Sequence, residues 1–109
     1  MPHPKPNKRK LTDLFLKKLQ PQASTFVVWD LQQRGLAIRV QPTGHKSWKC
    51  IYAFHGRPRW YHIGAADAIG LADARQLAGE VMLEVARGKD PAADRKAERG
   101  KGTLSLIHI

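Results

Sequence analysis

The side chains best suited to chemistry lie in the middle of the chain, and nearly all of them are basic. Between Asp30 and Asp67 the sequence has no acidic residue. The same segment carries six lysines and arginines and three histidines, namely Arg34, Arg39, His45, Lys46, Lys49, His55, Arg57, Arg59 and His62. Because a solvated surface normally mixes both signs, a long segment of one sign predicts a face that binds a polyanion. The net charge of +10 over 109 residues favours the same partner class.

The histidines and the single cysteine raise the question of a metal or catalytic site. Cys50 and His55 fall on opposite faces of a regular strand, and the chain has no CxxC or HxxxH pair. Cys50 alternates with apolar residues, which is typical of a buried small side chain rather than a nucleophile. No pair of carboxylates lies in the basic segment. We therefore expect no metal, no cofactor and no catalytic residue in this chain.

The basic segment alternates between apolar and polar residues, which predicts strands joined by short turns. In Leu36–Gln41, for example, Leu36, Ile38 and Val40 face one way while Arg39 faces the other. Four such runs predict an antiparallel meander of three to four strands. They cover residues 25–30, 36–41, 47–54 and 59–63, with turns at 32–35, 42–45 and 56–58.

A long amphipathic helix is predicted from Leu71 to Arg87, and a short helix capped by Thr12 precedes the strands. The long helix must bury its apolar stripe against one face of the sheet, which predicts an α+β domain whose other sheet face is bare. The expected core is made of Leu36, Ile38, Val40, Trp48, Cys50, Tyr52, Tyr61 and Ile63 against Leu77, Val81 and Val85.

The bare face is the candidate binding surface, because a β-ribbon fits the DNA major groove, which is about 12 Å wide. Arg39 could read guanine and Gln41 adenine, while Lys49 and Arg57 suit phosphates. Trp60 could instead pack at the edge under the first helix. The candidate DNA-binding residues are Arg39, Gln41, Lys46, Lys49, Ile51, Ala53, His55, Arg57, Arg59, Trp60 and His62.

An ordered set of short motifs resembles one known family. These motifs are Leu11-Thr12-Asp13, the run from Gly35 to Val40 after Asp30, Gly44–Trp48, the hairpin Gly56–Arg59 before Ile63-Gly64, Leu71–Arg75 and Gly88–Pro91. Their order and spacing over residues 11–91 are similar to the N-terminal arm-type DNA-binding domain of phage and genomic-island tyrosine integrases.

The resemblance implies a meander sheet backed by a helix and laid into the major groove of arm-type sites in double-stranded DNA. In that family the domain anchors a recombinase whose later domains cut the DNA, so the chain is expected to be the non-enzymatic N-terminal part of such an integrase. Other integrase protomers and accessory DNA-bending proteins are implied partners, and a bacterial, cytoplasmic, nucleoid-associated location is implied. The chain departs from the family in having Ile51 and Ala53 where outward arginines are usual, and Gly70 where a serine or threonine caps the helix.

The two ends of the chain differ in composition from the domain between them. Residues 1–10 are expected to be a mobile basic tail, and residues 92–103 a linker or a frayed helix. Residues 104–109 are what CTGTCTCTTATACACATC encodes, which resembles a transposon-adapter end used in sequencing libraries. We expect an artefact there and a natural protein that continues, the alternative being a chance apolar strand. No apolar run is long enough for a membrane span, and we expect neither a secretory signal nor a membrane partner.

Two other classes of function remain open from the residues alone. A stand-alone RNA-binding or ribosome-associated basic module would stack bases on two or three exposed rings, whereas only Trp60 is expected to be exposed. A protein-interaction module would recruit a strand to a sheet edge. Comparison of duplex DNA with single-stranded RNA distinguishes the first of these from arm-site binding.

Overall fold

Five strands form a single sheet in the order β1-β2-β3-β4-β5. The computed structural model describes residues 8–94. Its elements are β1 (Lys8–Arg9), α1 (Asp13–Lys18), β2 (Phe26–Asp30), β3 (Leu36–Val40), β4 (Lys46–Phe54), β5 (Arg57–Ala65) and α2 (Leu71–Ala86). Residues 91–94 are again helical. The α+β class is confirmed, with the helices packed on one face of the sheet.

The sheet has one strand more than the largest number predicted, and it is mixed rather than wholly antiparallel. β2 to β5 form the expected antiparallel meander, but β1 pairs in parallel with β2. The backbone N–H of Leu31 donates to the carbonyl of Arg9 at 3.0 Å. A strand of two charged residues has no apolar alternation, so no pattern in the sequence predicts it. Lys8 and Arg9, which the sequence assigned to the basic tail, therefore belong to the sheet, and residues 1–7 lie outside the described residues.

The core lies between the sheet and α2, as the alternation predicted. Leu36, Ile38, Val40, Trp48, Cys50 and Tyr52 are all buried on the side of the sheet that faces the helix. The indole Nε1 of Trp48 donates to the carbonyl of Ile69 at 2.7 Å. Leu11 and Val28 are also buried and were not in the predicted core.

The helix α2 approaches the sheet through its small residues. Ala74 and Ala78 are fully buried, and Leu71 and Val81 continue the same stripe. Leu77, which we predicted in the core, is 38% exposed. Because the two alanines bring the helix backbone close to the sheet, the centre of the contact lies between them and Leu77 is left at its margin.

The hairpin of β4 and β5 is the longest feature of the sheet, with nine residues in each strand. Its turn is His55-Gly56, whose φ angles of +51° and +78° are those that a two-residue hairpin turn requires. The predicted turn at 56–58 is therefore displaced. Pro58 lies inside β5, which is possible because β5 is an edge strand.

A buried carboxylate ties the N-terminal segment to the sheet and to α2. Asp30 accepts hydrogen bonds from Arg75 Nε at 2.8 Å and from the backbone N–H of Leu11 at 3.1 Å, and further bonds from the N–H groups of Gln32 and Gln33. Arg75 also donates to the carbonyl of Leu11 at 2.8 Å. Burial alone would raise the pKa of the Asp30 carboxyl, but the Arg75 guanidinium and the backbone donors outweigh it and the pKa is lowered.

Candidate nucleic-acid interface

The sheet face turned away from the helices is here called the outer face. Residues opposite each other in a ladder point to the same side of a sheet, so the strand register identifies its members. Ala37 pairs with both Trp29 and Lys49, Arg39 pairs with Ser47, and Lys49 pairs with His62. The outer face comprises Lys8, Val27, Trp29, Ala37, Arg39, Ser47, Lys49, Ile51, Ala53, Pro58, Trp60, His62 and Ala65.

Six of the eleven residues predicted to bind DNA lie together on the outer face, namely Arg39, Lys49, Ile51, Ala53, Trp60 and His62. Gln41 follows the end of β3 and is half-buried. His55 and Arg57 are exposed at the tip of the β4–β5 hairpin. The structure therefore brings most of the predicted residues to one surface and places three others at its ends.

Lys46 and Arg59 lie on the opposite side of the sheet, with the helices. The Lys46 ammonium donates to the carbonyl of Leu16 at 3.2 Å, near the C-terminal end of α1. Arg59 pairs across the ladder with Tyr52 and donates from Nε to Asp90 at 3.0 Å. Both cations thus have partners within the domain and point away from the outer face.

The centre of the outer face is less exposed than the alternation predicts. Ala37 is fully buried and Ile51 is 8% exposed. Ala37 stands between the larger side chains of Trp29 and Lys49, and Ile51 stands beside Trp60. Side chains opposite each other on neighbouring strands lie about 4.5–5.5 Å apart, so large neighbours cover small or short ones.

Two tryptophans lie on the outer face, one of which the sequence analysis missed. Trp60 is 48% exposed and pairs with Ile51, so it does not pack under the first helix. Trp29 is half-buried and pairs with Ala37. The alternation of Val27, Val28 and Trp29 in β2 could have identified this ring, because Val28 is the residue that faces the core.

The charge on the outer face is wholly positive among the described residues. Arg39 and Lys49 are diagonal neighbours across β3 and β4. The Lys49 Nζ lies 2.8 Å from Nδ1 of His62. The acidic residues of the described segment lie in α1, in the loop before α2, in α2 or after it, apart from the buried Asp30. The surface is therefore suited to an anionic ligand.

The histidines, cysteine and carboxylates of residues 8–94 were compared for shared positions and for reactivity. Within residues 8–94, no three His, Cys, Asp or Glu side chains lie close enough to hold a metal ion. Burial raises the pKa of the Cys50 thiol to about 12, so the nucleophilic thiolate is absent at neutral pH. None of the helices in this part of the chain is both long and apolar enough to cross a membrane.

Comparison with known proteins gives this arrangement a family. A family model described as Arm DNA-binding domain matches residues 11–98, which is most of the chain. The chain belongs to this family. The resemblance seen in the sequence is thereby confirmed, and the matched domain is a DNA-binding one rather than a catalytic one.

Two curated relatives of this arm DNA-binding domain come from Escherichia coli strain K12. The chain is 29% identical to the prophage integrase IntZ over 100 residues, which are 92% of the chain and 25% of that protein. It is 32% identical to the putative protein IntB over 62 residues, which are 57% of the chain and 16% of that protein. The chain thus spans a quarter or less of the length of these relatives.

The structure also bears on the two departures from the family pattern. Gly70 precedes α2 and makes no side-chain capping bond, because glycine has no side chain. Ile51 and Ala53 give the middle of β4 an apolar outer surface between Lys49 and the hairpin tip. The outer face of this arm DNA-binding domain is therefore a cationic surface with an aromatic and aliphatic centre.

Proposed function

We propose that this arm DNA-binding domain binds double-stranded DNA sequence-specifically, with the outer face laid into the major groove of arm-type sites. The observation that carries the proposal is a sheet face with Arg39, Lys49 and His62 and no acidic residue within the described part of the chain. Phosphates supply most of the affinity of such a surface, and base edges supply its specificity.

The dimensions of the β4–β5 hairpin suit this placement. A strand rises about 3.3 Å per residue, so nine residues extend roughly 30 Å, close to the roughly 34 Å of one turn of duplex. Two strands lie about 4.8 Å apart, which leaves room for side chains in a groove about 12 Å wide. The hairpin also extends beyond the shorter β3, so its tip is free to follow the groove.

Individual residues take different roles in this proposal. Arg39 donates to guanine, because its guanidinium matches the two acceptors on that base. Ala53 and the exposed ring of Trp60 supply apolar contacts of the kind that a thymine methyl group accepts. His55 and Arg57 at the hairpin tip contact phosphates, and Gln41 lies at the other end of the face.

We further propose that the chain anchors a larger recombinase at its arm sites. The relative IntZ is named a prophage integrase, and the chain matches only a quarter of its length. The rest of the parent protein would then hold the tyrosine recombinase that breaks and rejoins DNA, with other protomers and DNA-bending proteins as partners. A genomic sequence that continues in frame past residue 103 into such a domain supports this, and a stop codon there contradicts it.

The binding proposal is tested with a duplex selected from a randomised pool and with single-stranded RNA of equal length at equal salt. We expect the duplex to bind more tightly. Arg39→Ala should weaken the preference for the selected over a random duplex by about 1–3 kcal/mol, because a base contact is lost. If Arg39→Ala weakens binding to both duplexes equally, Arg39 contacts phosphates and no base.

Arg59→Ala provides the matched control for Arg39→Ala. It removes the same charge from the same sheet, but on the side that faces Asp90. We expect its DNA preference to stay unchanged, even if the stability of the domain falls. A loss of preference as large as that of Arg39→Ala would contradict the assignment of the outer face.

One observation favours single-stranded nucleic acid as a second candidate ligand. Trp29 and Trp60 both lie on the outer face, and exposed rings are what unpaired bases stack on. They stand three strands apart, which is about 14 Å at ordinary strand spacing. RNA that binds more tightly than the duplex at equal salt would establish this function and reject the first.

A further inference from the structure

We propose that Lys49 and His62 act as one unit that reads a guanine in the major groove. The inference rests on the proposed binding of duplex DNA by the outer face, and it assigns a base and a hydrogen-bond pattern to one position on that face. The sequence alone favours a phosphate contact for Lys49. The hydrogen bond that Lys49 makes to His62 in the structure is the reason to revise that role.

The two residues are held opposite each other by the strand register. Lys49 pairs with His62 beside the irregularity at which Trp48 pairs with Gly64 and Ile63 has no partner. This extra residue in β5 brings His62 onto the outer face, and Lys49 Nζ lies 2.8 Å from its Nδ1. β4 and β5 thus contribute one residue each to the unit.

The chemistry of the contact determines which hydrogens the unit offers. A lysine ammonium has three hydrogens and no acceptor, so it must donate and Nδ1 must accept. A neutral imidazole that accepts at Nδ1 carries its proton at Nε2, the ring nitrogen farther from the backbone. The unit therefore has donors on both residues and no acceptor for a base to approach.

This donor set discriminates between bases. Guanine offers two acceptors in the major groove, O6 and N7, whereas adenine offers one acceptor beside an amino group. Cytosine presents an amino group, and thymine a single acceptor beside a methyl group. Where an amino group of a base faces a donor of the unit, neither group has an acceptor and no hydrogen bond forms. Guanine is therefore the base that the unit favours.

The charged side chains that the strand register places around His62 on the outer face are cations. Lys49 on β4 is in contact with it, Arg39 is the nearest cation on β3, and Lys8 lies beyond Trp29 on β1. None of the described acidic residues lies on the outer face. Protonation of Nδ1 would turn its acceptor into a donor aimed at an ammonium, and the hydrogen bond would break.

Acidification should therefore convert a base reader into a pair of separate cations. Each cation would then attract phosphates, which carry no sequence information. We expect guanine preference to fall as the pH is lowered from neutral to mildly acidic values, because protonation of Nδ1 removes the acceptor to which Lys49 donates. Over the same pH range the salt dependence of binding should steepen by about one unit, because one more phosphate is neutralised.

The experiment uses the full 109-residue chain and a duplex selected from a randomised pool at about pH 7.5. Each guanine of the selected site is replaced in turn by 7-deazaguanine, which lacks the N7 acceptor. We expect one position at which the replacement weakens binding by about 5- to 150-fold, the range of a good two-bond base contact. In His62→Ala the same replacement should have no further effect.

His62→Gln separates a reading role from a merely structural one. The glutamine amide accepts from Lys49 through its oxygen and donates through its nitrogen, and it does not titrate. We expect this variant to keep the guanine preference and to lose its dependence on pH. His45→Ala is the matched control, because His45 is exposed in the β3–β4 turn and lies off the outer face.

The outcomes distinguish this inference from the proposed function. If the wild-type chain does not prefer duplex DNA to single-stranded RNA, the proposed function fails and the inference fails with it. If the duplex is preferred but no guanine is sensitive to the loss of N7, only the inference is overturned. The same holds if His62→Gln remains folded but loses as much guanine preference as His62→Ala. A selection that returns no sequence preference overturns both the inference and the sequence specificity of the proposed function, and leaves only binding to duplex DNA in general.

Discussion

Trp48 shows how much one side chain contributes in a domain of this size. Its ring is 1% exposed, it stands opposite Gly64 in the ladder, and its Nε1 donates to the carbonyl of Ile69. A Cβ atom on Gly64 would overlap the end of the Ile69 side chain, so a larger residue at this position would require that side chain to shift. The residue thus joins β4 to the loop that leads into α2.

We expect Trp48→Ala to lower the free energy of unfolding by about 3–5 kcal/mol, through the cavity it leaves and the hydrogen bond it removes. Trp60→Ala is the matched control. Because its ring is 48% exposed and packs beside Ile51 on the outer face, the expected change is about 1 kcal/mol. Urea unfolding followed by circular dichroism measures both. Similar losses in the two variants would contradict the assignment of the two sheet faces.

At the scale of residues, alternation predicted the outer positions of Arg39, Lys49, Trp60 and His62 but not the side that Arg59 occupies. The Gly-Arg-Pro motif favoured a turn at 56–58, whereas the chain turns one residue earlier at His55-Gly56. The ladder then places Arg59 opposite Tyr52, on the helix side. Partners such as Asp90, 31 residues away, have no local signal in the sequence.

At the scale of elements, the Asp30 cluster is the main tertiary link of the N-terminal segment. It joins β2, the segment before α1, and α2 through one carboxylate whose side chain is fully buried. Burial acts to raise the pKa of Asp30, yet its donors prevail and the pKa lies below the ordinary 3.8. The charged form is therefore the one that the fold stabilises.

The sign of the pH effect follows from that lowered pKa. The stability that ionised Asp30 contributes is fully present above the unfolded-state pKa near 3.8, and it is lost as the pH falls toward the folded-state pKa. We expect Asp30→Asn to cost about 3–5 kcal/mol at neutral pH, because it breaks a buried ion pair. The difference in unfolding free energy between wild type and variant should become smaller as the pH falls below about 4.

Urea unfolding across that pH range measures this difference. Asp13→Asn is the control, since Asp13 is exposed in the first turn of α1. This substitution removes one carboxylate outside the Asp30 cluster. The difference in unfolding free energy between this variant and wild type should therefore stay small over the whole pH range. A difference for Asp30→Asn that stays constant with pH would show that the ionisation of Asp30 does not contribute to folding.

The elements themselves were predictable where the apolar pattern is long. α2 begins at the predicted Leu71 and ends one residue before the predicted end, and Thr12 caps α1 by accepting from the N–H of Phe15 at 3.1 Å. β1 was not predictable, because its two charged residues have no apolar alternation and the Asp30 contact that holds the neighbouring Leu11 has no local signal in the sequence. The second helical segment begins where Asp90 accepts from the N–H of Ala93 and from Tyr52.

At the scale of the whole molecule, positive charge extends past the outer face to the hairpin tip. Arg57 is exposed there, with its α-carbon opposite Phe54. We expect Arg57→Ala to weaken binding to all duplexes alike and to reduce the slope of log affinity against log salt by about one, because one phosphate contact is lost. Lys18→Ala is the control, since Lys18 is exposed on α1, on the other side of the sheet. Equal slopes for wild type and Arg57→Ala would remove the hairpin tip from the interface.

The basic segment of the sequence predicted which half of the molecule is positive. It also predicted a cationic outer face, but it assigned Lys46 and Arg59 to that face, whereas both bond to groups on the helix side. The absence of acidic residues between Asp30 and Asp67 nevertheless carries over into three dimensions. Strands β3 to β5 lie wholly within that interval, so none of them could place a carboxylate on either face.

Because of this separation of charge, the outer face of the unbound molecule is positive and its helix side is not. An electric field from a distant polyanion exerts a torque on such a body and turns the outer face toward the source. A larger share of collisions then begins in a productive orientation, and the rotational search at the surface is shortened. Added salt screens the field beyond about 10 Å at 0.1 M, so the gain in association rate is greatest at low salt concentration.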